Sequence, residues 1–191
     1  MYTEQQFQIP TLNGLTEKTI EEHKKLYAGY VKHANLINEK LALYKADETK
    51  AYETGELYRR FSFEYNGMRN HECYFALLTG TSMNAPTLIE AINAQWGDVE
   101  TFKTAFTTLA LTRGIGWAML SYDKPTKALI MHWIDEQHLG QLQGTTAIIA
   151  LDMWEHSYVA DYQPSGKKQY VTDFLSQMNW SAAETFYVNA Q

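Results

Sequence analysis

Cysteine is almost absent from this 191-residue chain: Cys73 stands alone. That excludes an internal disulfide framework and any Cys-rich zinc module. No apolar run approaches the roughly 18 residues that a membrane-spanning helix needs. Residues 1–10 are polar and lack an apolar signal core, so the expectation is a reduced, cytoplasmic protein. Basic residues are in deficit, 16 Lys and Arg against 22 Asp and Glu, for a formal charge of −6. Binding a phosphate backbone needs the opposite balance, so neither nucleic acid nor a membrane is expected as a partner. There is no Gly-x-Ser-x-Gly elbow. The absence of Glu-x-x-His excludes His-Glu-x-x-His metalloproteases and argues against di-iron carboxylate bundles, which use that pair twice. Gly114-Ile115-Gly116 runs into a strand pattern and makes no phosphate loop. No internal repeat or low-complexity stretch is present.

Apolar residues make up 45% and aromatics 14%, enough for a globular core. In the first half they follow a helical period. Ile20, Tyr27, Tyr30, Val31, Ala34, Ile37, Leu41 and Tyr44 recur at three- and four-residue steps, which predicts a helix over 17–45 capped by Thr16. Residues 46–55 are polar and read as the turn of a helical hairpin. Leu57, Phe61, Met68, Phe75 and Leu78 mark the second helix, with Gly80 as its stop. Two polar residues, Glu64 and His71, interrupt that apolar stripe. After a linker over 82–86 the pattern changes. Short helices are expected over 87–96 and 99–111, the second capped by Asp98. Strands follow over 117–122 and 129–134 as a hairpin, then over 145–151. Helix returns over 154–162, is broken at Pro164-Ser165-Gly166, and resumes over 170–178. The expected fold class is α+β: an N-terminal helical hairpin domain, 1–83, followed by an α/β domain, 84–191.

Six histidines need an explanation: His23, His33, His71, His132, His138 and His156. The sharpest cluster is Asp152-Met153-Trp154-Glu155-His156. An Asp and a His four apart at a strand-to-helix junction can address one centre, and that pairing suits iron, manganese or zinc. The plainer alternative has Asp152 capping the helix and Glu155 completing a capping box. His71 lies on a face that should be buried, where a hydrogen-bonded core histidine is the usual case. With about 100° per residue, Tyr27 lies roughly 40° and Tyr30 roughly 20° from His23, so the three share a face. One inward histidine on each hairpin helix, plus the Asp/His pair, makes a mononuclear site of three histidines and one aspartate a candidate. Cys73, among apolar neighbours on a helix, reads as packing.

These residues resemble the iron/manganese superoxide dismutase family. Asp152-Met153-Trp154-Glu155-His156-Ser157-Tyr158 is similar to its Asp-x-Trp-Glu-His-x-Tyr signature. Asn70-His71 with Tyr74-Phe75, then Tyr30-Val31 with Asn35, resemble two further segments. Gly97-Asp98 through Lys103, Gly114-Ile115-Gly116-Trp117 and Asn179-Trp180 continue the likeness in order, over nearly the whole chain.

The resemblance implies a helical hairpin followed by a domain with a three-stranded antiparallel sheet. It implies a redox metal, manganese or iron, one ion per subunit, held by His23, His71, Asp152 and His156. Zinc cannot cycle by one electron. An ungapped match from Tyr30 would put Glu22 at the first position; His23 is preferred because it shares a face with Tyr30. The implied substrate is the superoxide anion, converted to dioxygen and hydrogen peroxide; a metal-binding relative without that activity is the alternative. A glutamine should tune the site. Gly67, four residues before His71, resembles the manganese-type arrangement, which favours manganese and places the glutamine at the end of the second strand. Gln137 is the choice there, over Glu136 and His132. Tyr30 should extend this network toward substrate, with Tyr27 as runner-up, and Trp117 and Trp154 should wall the site. Lys24, Lys25, Lys32, Arg69, Lys167 and Lys168 are candidates for local anion steering. Finally, the resemblance implies a homodimer in which Glu155 reaches the His156 of a second copy.

Overall fold

A computed structural model describes residues 1–191. Thr16 begins the first helix as expected: its side chain accepts the Thr19 N–H, and α1 runs Glu17–Tyr44. The chain then reverses through a single 3₁₀ turn at Glu48–Lys50. The second helix, α2 (Ala51–Leu77), starts earlier than its apolar stripe suggests, because its first turn is solvent-facing and needs no apolar residue. α1 and α2 form the hairpin, and its inner face buries Tyr27, Val31, Met68, Tyr74 and Phe75. Glu64 and His71, the two polar members of the stripe, are both buried.

α3 (Pro86–Trp96) and α4 (Val99–Ala110) lead into the sheet, with Asp98 accepting the Thr101 N–H at the start of α4. Strands β1 (Gly116–Asp123), β2 (Ala128–Asp135) and β3 (Thr145–Asp152) form an antiparallel sheet in the order β2-β1-β3. The central strand β1 is buried along nearly its whole length, and apolar residues occupy most of both its faces, with buried Ser121 among them. Register places Trp117 of β1 opposite Asp152, the last residue of β3. β3 also packs against α2. The strand end therefore opens onto the helical hairpin.

Helix was expected over 154–162. The chain instead makes a 3₁₀ turn at Glu155–Ser157, breaks at Tyr158 (φ −145°), and resumes as the four-residue α5 (Val159–Tyr162). A φ of −145° at Tyr158 lies far from the helical value near −63°, so the helix cannot run through it. α6 (Lys167–Gln177) follows a turn at Pro164–Gly166. A last helix, α7 (Trp180–Ala190), has Asn179 as its cap. One core of buried apolar residues unites all these elements, from Leu12 to Ala190. No helix is long and apolar enough to cross a membrane.

Candidate metal centre

Four elements converge where the hairpin meets the end of β3. α1 contributes His23, α2 contributes His71, β3 ends in Asp152, and the following 3₁₀ turn carries His156. Their donor atoms all lie within 4.8 Å of one another. Asp152 Oδ2 is the hub: the Nε2 atoms of His23, His156 and His71 stand 3.1, 3.2 and 3.6 Å from it. Asp152 is held from three sides. Its Oδ1 accepts the Trp154 N–H at 2.8 Å, and its main-chain oxygen accepts the hydroxyls of Tyr170 and Ser157, each at 2.9 Å. The aspartate thus makes a local turn with Trp154 through one oxygen and leaves the other for the histidines.

His71 shows what the cluster is built for. Its Nδ1 lies 2.6 Å from the Gly67 carbonyl, which can only accept, so Nδ1 carries the proton. Nε2 is then a lone pair. It is buried, has no hydrogen-bond partner, and faces a carboxylate oxygen 3.6 Å away. A bare lone pair against a carboxylate is repulsive, and an unmatched buried acceptor costs about 1–3 kcal/mol. A cation between them removes both penalties. Protonation states agree with that fit. Burial lowers the pKa of His23, and burial with the neighbouring His23 takes His71 to about 3, so both imidazoles are neutral ligands at pH 7. Burial alone would raise Asp152, but the charge of His156 and hydrogen bonds from His156 and His23 prevail and hold the carboxyl well below the usual range. Three imidazoles and one carboxylate form a donor set suited to iron, manganese or zinc.

Around the cluster, Trp117 sets its ring edge-on to His71 (centroids 5.0 Å apart) and donates Nε1–H to Gln137 Oε1 at 2.9 Å. That fixes the Gln137 amide, whose Nε2 donates to the Tyr30 hydroxyl at 3.1 Å. Tyr30 packs against His71, 5.1 Å between ring centres. Its ring occupies the space beside Gly67, where an added Cβ would stand 2.6 Å from a ring carbon. Trp154 stacks on His156. Other candidates fall elsewhere. Glu22 is exposed and bonded to Lys25. Glu136 is exposed with φ 52°, and the reversal it makes carries Gln137 into the interior. His132 pairs with Ser121, and His138 packs on Phe63. Tyr27 is fully enclosed and donates to Glu72. Glu155 is exposed and has no partner within the chain. Two supports were not foreseen: Tyr170, clamping Asp152 and accepting a hydrogen bond from Tyr74, and Asn70, whose amide donates to the Gln137 carbonyl.

Comparison with known proteins gives the same frame. The sequence profile of "Iron/manganese superoxide dismutases, C-terminal domain" matches residues 84–186. A "Superoxide dismutase [Fe]" of Cupriavidus metallidurans is 35% identical over 183 residues, covering 94% of this chain and 91% of that protein. The chain belongs to the iron/manganese superoxide dismutase family. A "Superoxide dismutase [Fe]" of Aquifex pyrophilus is 30% identical across 94% of the chain and 87% of its own length. A "Superoxide dismutase [Mn/Fe]" of Methylomonas sp. (strain J) is 37% identical over 127 residues, 65% of this chain and 62% of that protein. The family profile spans Trp117, Gln137, Asp152 and His156. His23, Tyr30 and His71 precede it, in the half that the longer alignments reach.

Proposed function

We propose that this chain is a superoxide dismutase whose single manganese or iron ion is held by His23, His71, Asp152 and His156. The observation that carries the reading is the buried His71 lone pair aimed at the Asp152 carboxylate. When bound, such an ion would supply one-electron redox chemistry, by which one superoxide would be oxidised to dioxygen and a second, with two protons, reduced to hydrogen peroxide.

The protein's part is to position groups and manage protons. The Gly67 carbonyl fixes the His71 tautomer, and Tyr170 and Ser157 hold the backbone of Asp152, so the donors are set before an ion arrives. Trp117 takes up the Gln137 carbonyl oxygen and Tyr30 takes one amide N–H, which leaves one N–H of Gln137 without a protein partner. Tyr30 accepts from Gln137 through oxygen, and its own O–H is free to donate. Burial, then the charges of Asp152 and Glu64, raise its pKa, so the phenol keeps its proton at neutral pH. Tyr30 and Gln137 are accordingly the proposed catalytic pair, with Trp117 and Trp154 excluding water. Gly67 leaves the amide role to Gln137, which favours manganese over iron. The reading extends to a cytoplasmic homodimer joined through Glu155, divided into domains 1–83 and 84–191.

The test is reconstitution of metal-free protein with manganese, iron or zinc, each followed by a superoxide decay assay. Activity with manganese or iron and none with zinc is expected. Inactive protein that holds a full ion complement would sink the proposal.

A further inference from the structure

Residues 1–16 contain no helix or strand, yet they are stitched down along their whole length. The first half is tied to the hairpin. Tyr2 N–H donates to Asn35 Oδ1 at 2.7 Å, and Asn35 Nδ2 returns a bond to the Tyr2 carbonyl at 2.9 Å. Gln5 N–H donates to the Tyr27 hydroxyl at 2.9 Å. Phe7 rests on Phe75 and Tyr27, with centroids 5.6 and 6.1 Å away. The second half is tied to α5 and α6. Asn13 N–H donates to Gln177 Oε1 at 2.7 Å, and Gln177 Nε2 donates back to the Asn13 carbonyl at 3.0 Å. Thr16 N–H donates to Asp161 at 2.9 Å. Gly14, at φ 78°, makes the bend between them, and the Tyr162 hydroxyl fills the place of its missing Cβ.

The four donors are divided in the same way. His23 and His71 belong to the hairpin, while Asp152 and His156 belong to the other half. The side chains of His23, His71 and Asp152 are fully shielded, and that of His156 is 25% exposed. Three shielded donors hold an ion from the inside, so its loss is eased when the halves part. The arm crosses that seam, and it also touches the ligands' own packing. Phe7 backs Phe75, which lies 5.0 Å from the His23 ring. Gln5 fixes Tyr27, whose ring runs nearly parallel to His71 at 6.5 Å.

We propose that the N-terminal arm is a belt across the metal centre, in which Gln5, Phe7 and Asn13 are positioning residues that hold the two pairs of donors at ligating distance, and that its release limits loss of the ion. The inference rests on reading the four residues as metal ligands. Each end of the belt is weak alone, because a few partly exposed hydrogen bonds open readily. Closed together, they make the hairpin and the α5–α6 segment one unit.

The experiment follows manganese release from the loaded full-length protein into excess chelator. Phe7→Ala, and Gln177→Ala, which removes both bonds to the Asn13 main chain, should each speed release by about tenfold, the lower range for losing a support behind a ligand. Phe7→Leu should restore the slow rate, and far-UV circular dichroism should be unchanged in all three. Wild-type protein gives a measurement free of folding artefacts: the amide hydrogens of Gln5 and Asn13 should exchange at least as fast as manganese leaves. Release at the wild-type rate in both alanine variants, or belt amides that stay protected through several release half-lives, would overturn the proposal. A chain that takes up no ion would overturn the ligand reading as well, whereas a chain that holds manganese with equal release in every variant would overturn the belt alone.

Discussion

At the scale of residues, small differences in placement decide large differences in role. Glu22 and His23 are neighbours on one helix, yet one is exposed beside Lys25 and the other is enclosed against Asp152. Gln137 and Glu136 are separated in the same way by one left-handed residue. Gln137→Leu removes the bonds to Trp117 and Tyr30 together and touches none of the four donors. Metal content should stay full while turnover falls by about tenfold or more, as measured by metal analysis beside a superoxide decay assay. Gly67→Ala tests the other side of Tyr30. The new methyl group collides with a ring locked against His71, so the change should cost about 1–3 kcal/mol in thermal unfolding and reduce activity by displacing Tyr30. Cys73 should be silent. Burial pushes its thiol up to about 12, so thiolate is scarce at pH 8, and alkylation of the native protein should be far slower than of the unfolded chain.

At the scale of elements, the stop and start signals show how much could be read in advance. Thr16 and Asp98 cap α1 and α4 where their spacing to the apolar period said they should. The three strands were visible because β-branched and aromatic runs sit between turn residues. α7 was not visible: Ala182, Ala183, Glu184 and Thr185 offer no clear apolar period, and the helix owes its place to packing of Trp180 and Tyr187 into the core. The structure breaks the helix expected over 154–162: Asp152 and Glu155 have the spacing of a capping box, but the Asp152 turn and its clamps set the backbone instead. In the candidate site, His71 was legible as a polar residue on an apolar stripe. The hold of Tyr170 on Asp152 joins positions far apart in sequence and leaves no local pattern. Asn179 supplies a test away from the metal. It caps α7 by accepting the Ala182 N–H and also donates to Thr79. Asn179→Ala should lower stability by about 1 kcal/mol in a denaturant titration and leave metal content unchanged.

At the scale of the whole molecule, charge and assembly come together at the seam between the halves. A chain of net charge −6 does not attract an anion globally, and Lys24, Lys25 and Arg69 are each offset by a nearby glutamate. Lys167 differs: it donates to the Thr112 carbonyl and lies over Trp133, with no carboxylate partner. Exposed Glu155, next to His156 and without a partner in its own chain, is the natural contact for a second copy under the proposed two-fold arrangement. Glu155→Ala should therefore weaken the dimer and lower metal occupancy together, seen by sedimentation velocity and metal analysis on the same sample. The central claim is that the four converging donors make a one-electron metal centre. Its most direct test is to titrate manganese, and separately iron, into metal-free protein while following superoxide decay by stopped-flow absorbance. The decay rate should rise in proportion to bound ion, break at one ion per chain, and be absent from His71→Ala at every metal concentration. Superoxide that decays at the uncatalysed rate with the site fully loaded, or equally fast with His71→Ala, would contradict it.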